Sequence, residues 1–330
     1  VMSFQPSHKT NIVCLVAIFA MMATGCKKNN DFGDVDFRQQ MRDFVVRISD
    51  KAHVLDSDFI VIPQNGVQLI SLGDDADAGL SDSYLAAIDG QGQEDLYYGY
   101  DYDDHPSPTS STNELLAYLR QLRGAGKCVL VTDYCTKPGY VSDAHNRCDN
   151  EEFLSFAAPS RDLDVIPTDA PPHENANDIT SLKGAQNFLY LINPEQFSSK
   201  SEFIESVCAT NYDLIIMDLF FNDNAFTAAE VERMQRKANG GRRLLICYMS
   251  IGEAEDYRYY WQSSWSHHAP DWLDKENPSW KGNYKVRYWY SDWQDIICGS
   301  EDSYLNKIMK AHFDGVYLDI IDAFEYYEKD

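Results

Sequence analysis

From residue 37 onward the hydrophobic positions follow two alternating rhythms. Phe37, Met41, Phe44, Val45 and Ile48 recur three and four residues apart, which predicts an amphipathic helix over 37–53. Short apolar runs of strand length follow: "FIVIPQ" (59–64), "AAIDGQGQ" (86–93), "VLVTDY" (129–134), "FLSFAA" (153–158), "FLYLIN" (188–193), "LIIMDLFF" (214–221), "LLICYMSIG" (244–252) and "VYLDIID" (316–322). Helical patterns separate them. "STNELLAYLRQLRGAG" closes on Gly124 and Gly126, and "TAAEVERMQRKANGG" opens with Thr227 and Glu230 at capping-box spacing and stops at Gly240. "LDVIP" (163–167) competes for a strand slot but reads better as a turn or short helix. Eight strands alternating with helices predict an α/β protein, a (β/α)8 TIM barrel. A doubly wound open sheet is the rival, disfavoured by the count of eight and by the absence of a Gly-rich phosphate loop.

The segment before the first helix reads differently. His8 and Lys9 precede "IVCLVAIFAMMATGC", an apolar run too short for a membrane-spanning helix of about 20 residues. It ends on small residues before Cys26 and resembles a bacterial lipoprotein signal. The expected organisation is therefore a signal peptide over 1–26, a polar linker over 27–36 and one barrel over 37–330. Cys26 is the expected lipidation site, anchoring the protein in a bacterial cell envelope on the periplasmic face or the outer surface. A net charge of −24 argues against nucleic acid, whose phosphates need a positive surface. The remaining cysteines include no C-x-x-C, so zinc and redox motifs are unsupported, and Cys135 and Cys148 could pair in an exported protein.

Polar residues end the strand runs: Gln64 with Asn65, Glu94, Asp133 with Tyr134, Asn193, Asp218, Ser250 with Glu253, and Asp319. In a barrel these converge on the rim where active sites lie. Carboxylates dominate, and a carboxylate pair is what most sugar hydrolases use. Metal hydrolysis needs histidines at strand ends, and all eight histidines miss the strands. No metal and no cofactor are expected. All six tryptophans fall between 261 and 293, where their flat faces could meet sugar rings or simply build a core. The run "FDGVYLDIID" matches a chitinase-like D-G-x-D-x-D-x-E at Asp314, Gly315 and Asp319, but Tyr317 and Ile321 replace its middle aspartate and its glutamate.

A closer resemblance is carried by "NFLYLINPEQF", "YDLIIMDLFF", "KANGGRRLLICYMSIGEAEDYRYYW", "NPSWKGNYKVRYW" and "FDGVYLDIIDAFEYYE", with "FIVIPQNG", "AIDGQGQEDLYYGYD" and "GKCVLVTDYC". These resemble the endo-α-1,4-polygalactosaminidase family of glycoside hydrolases, in its bacterial barrel branch. In that family "NFLYLIN" opens the barrel and "GVYLDIID" is its fourth strand. Here the usual strands 5–8 come first and 1–4 last, which implies a circularly permuted barrel. Permutation would account for a first helix without a strand before it, a final strand without a helix after it, and the long polar connection 168–186. The resemblance implies hydrolysis of an α-1,4-linked, galactosamine-rich polysaccharide by Asp319 as nucleophile and Glu94 as acid/base. Two strand steps separate them, roughly 10 Å of backbone. Substrate-binding roles fall to Gln64, Asn65, Asp133, Asp218, Tyr248, Ser250, Glu253, Arg258, Trp289 and Asp322. Neighbouring Asp95, Asp133 and Asp218 are expected to raise the pKa of Glu94. The alternative is a barrel that binds glycan on the same surface without cutting it.

Overall fold

The structure is a computed structural model that describes residues 33 and 35–329; Cys26 and the expected signal peptide lie outside the described residues. Helix α1 (Phe37–Leu55) is capped by Asp36, whose side chain accepts the backbone N–H of Gln39 at 2.9 Å. It buries Phe37, Met41, Phe44, Val45, Ile48 and Ala52 on one stripe, the spacing that predicts it. Each large apolar side chain buried this way contributes about 1.5–3 kcal/mol.

Eight core strands come after it: β1 (Ile60–Pro63), β2 (Gly90–Glu94), β3 (Cys128–Tyr134), β4 (Leu154–Ala158), β5 (Phe188–Tyr190), β6 (Leu214–Met217), β7 (Leu244–Ser250) and β8 (Gly315–Asp319). Each overlaps one of the eight apolar runs to within a residue at its start or end, although the strands over 188–193, 214–221 and 316–322 stop early. Segment 163–167 forms neither strand nor helix, and Leu163 is buried there at a positive φ of 50°. The strand connections carry helices α2 (Asp82–Ala87), α3 (Thr109–Gly124), α4 (Pro138–Glu151), α5 (Lys200–Cys208) and α6 (Ala228–Met234), the last with the reciprocal Thr227–Glu230 capping box.

All ladders between core strands are parallel. One sheet runs β1-β8-β7-β6-β5 and another β2-β3-β4. Strand β1 meets β2 through a parallel bridge between Gln64 and Gly92, with backbone bonds from Asp89 N to Val61 O and from Asn65 N to Gly92 O, each 2.9 Å. Phe156 of β4 packs against Phe188 of β5 at 5.7 Å between ring centres. The order β4-β3-β2-β1-β8-β7-β6-β5 is an α/β arrangement with a parallel central sheet, consistent with a TIM barrel. Most of the strands are apolar on both faces, as parallel strands covered by helices tend to be, with the Gly- and Gln-rich β2 the exception.

Two local features fix the strand interior and the longest connection. Gly92 leaves room inside the strands for the Tyr317 ring, because a Cβ at Gly92 would come within 1.9 Å of the Tyr317 hydroxyl. The polar connection 168–186 is pinned by a buried ion pair: Lys237 Nζ reaches Asp213 Oδ1 at 2.8 Å and the backbone oxygen of Asn175 at 2.9 Å. Ile179 and Leu182, both buried in the core, anchor the same connection on its apolar side.

Candidate active site

The C-terminal ends of the strands surround a cavity of about 590 Å³. Glu94, the last residue of β2, and Asp319, the last residue of β8, both line it. One carboxylate oxygen of Glu94 accepts from the Tyr134 hydroxyl and the other from Nδ2 of Asn65 at 3.0 Å. Asn65 also receives the backbone N–H of Glu94 on its Oδ1 at 3.1 Å. Asn65 holds this clamp at a φ of 57°, a left-handed conformation that asparagine tolerates better than most residues.

Asp319 is held by two donors. The Tyr248 hydroxyl gives to Oδ2 at 2.6 Å and the backbone N–H of Ile320 gives to Oδ1 at 2.8 Å. Ile320 sits at a φ of 59°, a strained conformation for a β-branched residue that costs about 1–3 kcal/mol. Its carbonyl packs so closely on Gly252 that a Cβ there would approach within 2.0 Å. Burial pushes the Asp319 carboxyl up to about 8, and the charges of Glu94 and Asp322 push the same way, while the Tyr248 and Ile320 donors oppose them. Asp322 also lines the cavity, and burial with the charges of Glu325 and Glu94 raises it to about 6.

Arg258 occupies one wall and binds two acids. Its Nη2 is 2.7 Å from Oδ2 of Asp218 and its Nε is 2.5 Å from Oε2 of Glu255. Tyr257 donates to the other Glu255 oxygen at 2.6 Å. Glu253 is buried and accepts from Asn277 at 2.8 Å, with Lys285 at 3.4 Å. Gln64 accepts from the Tyr190 hydroxyl at 2.8 Å. The cavity therefore brings together Gln64, Asn65, Glu94, Asp218, Tyr248, Glu253, Arg258, Asp319 and Asp322 from across the sequence.

Three residues expected there do not line it. Asp133 is fully buried and turned to the opposite face of β3 from Tyr134, where it accepts the backbone N–H groups of Tyr97 and Tyr98 at 2.7 and 2.9 Å. Ser250 gives its hydroxyl to the Glu253 carbonyl at 3.2 Å. Trp289 packs on Phe37 and Tyr327, with ring centres 5.0 and 4.8 Å away, beside the start of α1. Of the three acids expected to crowd Glu94, Asp218 pairs with Arg258, while burial raises Asp95, paired with Arg161 at 3.0 Å, and Asp133, held by backbone amides, to about 7 each.

Tyr134, named from sequence only as a strand end, lines the cavity, as do Trp280, named there only as one of six tryptophans that could meet sugar rings, and Tyr190 and Arg161, which sequence reasoning gives no site role. Period-two alternation picks Tyr134 over Asp133 once Thr132 is paired with Glu94, but that pairing is not legible from an apolar run. Cys135 and Cys148 are both buried and unbridged. A larger cavity of about 990 Å³ opens at the other end of the strands, where Arg242 pairs with Asp314 at 2.5 Å and His312 Nδ1 lies 2.7 Å from a Glu232 carboxylate oxygen. It contains none of the expected site residues.

Residues 168–330, which carry β5 to β8, match glycoside-hydrolase family GH114. Three relatives, each an uncharacterised protein, align with parts of the chain. One from Methanocaldococcus jannaschii is 36% identical over 156 residues, 46% of this chain and 42% of the relative. One from Thermotoga maritima is 47% identical over 85 residues, covering 26% and 25%. One from Deinococcus radiodurans is 40% identical over 123 residues, covering 37% of each. The chain therefore spans well under half the length of these relatives. A solved structure, Aspergillus fumigatus Ega3 in complex with galactosamine, aligns at 17% identity over 49% of this chain and 50% of that one, with a TM-score of 0.28.

Proposed function

We propose that this chain is an endo-acting glycoside hydrolase of an α-1,4-linked, galactosamine-rich polysaccharide, with Asp319 and Glu94 as its catalytic pair. The observation that carries the reading is a shared cavity in which two carboxylates from distant strands are each held by a tyrosine hydroxyl. Eight acidic side chains line that cavity against three basic ones, and two of those three, Arg161 and Arg258, are already paired. Such a lining favours a cationic sugar.

In the first step Asp319 attacks the anomeric carbon while Glu94 protonates the departing glycosidic oxygen. Water then attacks the glycosyl-Asp319 ester, with Glu94 taking its proton. The first step needs Asp319 as an anion, yet burial holds its proton at neutral pH. A substrate ammonium against Asp319 and Asp322 offsets that burial, so a cationic sugar helps to ionise its own nucleophile.

In this reading the barrel is closed and circularly permuted, with β4 meeting β5 where Phe156 packs on Phe188. A family match that begins ahead of β5 supports that order. Cys26 is kept as a lipid anchor in a bacterial envelope. The test is release of new reducing ends from a galactosamine polymer, with Glu94→Gln and Asp319→Asn as controls. Polymer binding without new reducing ends in the unsubstituted protein would leave a glycan-binding protein instead.

A further inference from the structure

We infer that Trp280 forms an outer sugar-stacking platform at the lip of the cavity, so that a glycan chain is gripped beyond the unit being cleaved. The inference rests on the glycan-hydrolase reading and extends it to chain length.

The six tryptophans separate cleanly. Trp272 and Trp293 are buried, and Trp261, Trp265 and Trp289 pack against the core. Trp280 is 59% exposed and lines the cavity. An indole left in water forgoes the burial energy that drives its neighbours inward, and beside a polar cavity that makes it a candidate contact surface. Tyr257, 57% exposed, lines the same cavity, so the apolar surface at this lip is more than one ring.

The platform is also held in place, as a binding surface must be to limit the entropy lost on binding. Trp280 sits in the turn between the antiparallel strands Leu273–Glu276 and Asn283–Val286. Backbone bonds close that turn, from Trp280 N to Asn277 O at 3.2 Å and from Asn283 N to Trp280 O at 3.1 Å. The side chains of Asn277 and Asn283 then tie the turn to Glu253 in the cavity wall at 2.8 and 3.4 Å. Gly282 completes it at a φ of 90°, where an added Cβ would press within 2.9 Å of the Asp256 carboxylate. A sugar ring offers an apolar face of C–H groups to such an indole, while its hydroxyls remain free for Asn283 and water.

The experiment measures binding of α-1,4-linked galactosamine disaccharide and hexasaccharide by calorimetry, in a Glu94→Gln background so that the ligands stay intact. The background protein is expected to prefer the longer chain. Trp280→Ala is expected to reduce that preference by about tenfold, the factor equivalent to about 1.4 kcal/mol. Trp280→Phe, which keeps an aromatic face, is expected to keep most of it. A preference that survives Trp280→Ala, equal losses for both ligands, or no binding of the hexasaccharide overturns the inference. Length-dependent binding together with no turnover by the unsubstituted protein overturns the hydrolase reading and leaves the platform standing.

Discussion

Replacing Tyr248 by phenylalanine removes one hydroxyl from the cavity and leaves the ring in its place on β7. That hydroxyl donates to Asp319 at 2.6 Å, a bond that strengthens when Asp319 is ionised. A hydrogen bond to a charged group contributes about 1.5–3 kcal/mol, and one pKa unit is about 1.4 kcal/mol. The Asp319 pKa, already about 8, should therefore rise by roughly one to two further units. If ionised Asp319 is the nucleophile, kcat/KM at pH 7 falls about 10- to 100-fold. The ratio between the unsubstituted protein and Tyr248→Phe should then shrink as pH rises, because both proteins approach full ionisation. The assay is reducing-end release across pH, with a thermal melt to confirm folding. A deficit that stays constant with pH would mean the hydroxyl acts only through structure, and full activity at pH 7 would refute the role of Asp319.

Asn65 separates clamp from backbone. Asn65→Gly keeps the left-handed turn and should fold with near-normal stability while losing activity, because Glu94 loses a donor. Asn65→Ala should lose the same activity and a further ~1 kcal/mol of stability, read by chemical denaturation, from the positive φ. Asp319→Asn tests the burial of the carboxyl. A carboxyl raised to about 8 in the folded state contributes stability that is full below the ordinary aspartate range and is lost as pH climbs toward 8. The amide has no such loss, so the variant should exceed the unsubstituted protein by up to about 5 kcal/mol at pH 8, and the gap should close toward pH 4. A gap that widens on acidification would reverse the sign of the effect.

The strands are the most legible part of this chain, since all but the Gly- and Gln-rich β2 are short apolar runs bounded by turn residues. Helix α1 and the capping box at Thr227 are equally plain, because their signals are local. The cavity is half legible. Residues that end a strand can be named, but which face they take depends on pairing register, and this sends Asp133 behind the sheet while Tyr134 turns inward. Ser250 and Trp289 miss the cavity for another reason: each satisfies a local partner before it can reach that far. The tryptophan cluster holds one well-exposed member, and only the turn that carries it distinguishes Trp280 from its packed neighbours. Raised pKa values are hard to place from sequence because their largest cause at Asp95, Asp133 and Asp319 is burial, which a count of charges does not show.

The central claim is that Asp319 and Glu94 together cut a cationic glycan. Incubating the unsubstituted protein with α-1,4-linked polygalactosamine and following new reducing ends tests it most directly. Oligosaccharide release is expected, falling by at least about 10³-fold in both Glu94→Gln and Asp319→Asn, while both variants still bind the polymer. Release that persists in either variant, or none from the unsubstituted protein, would contradict the claim.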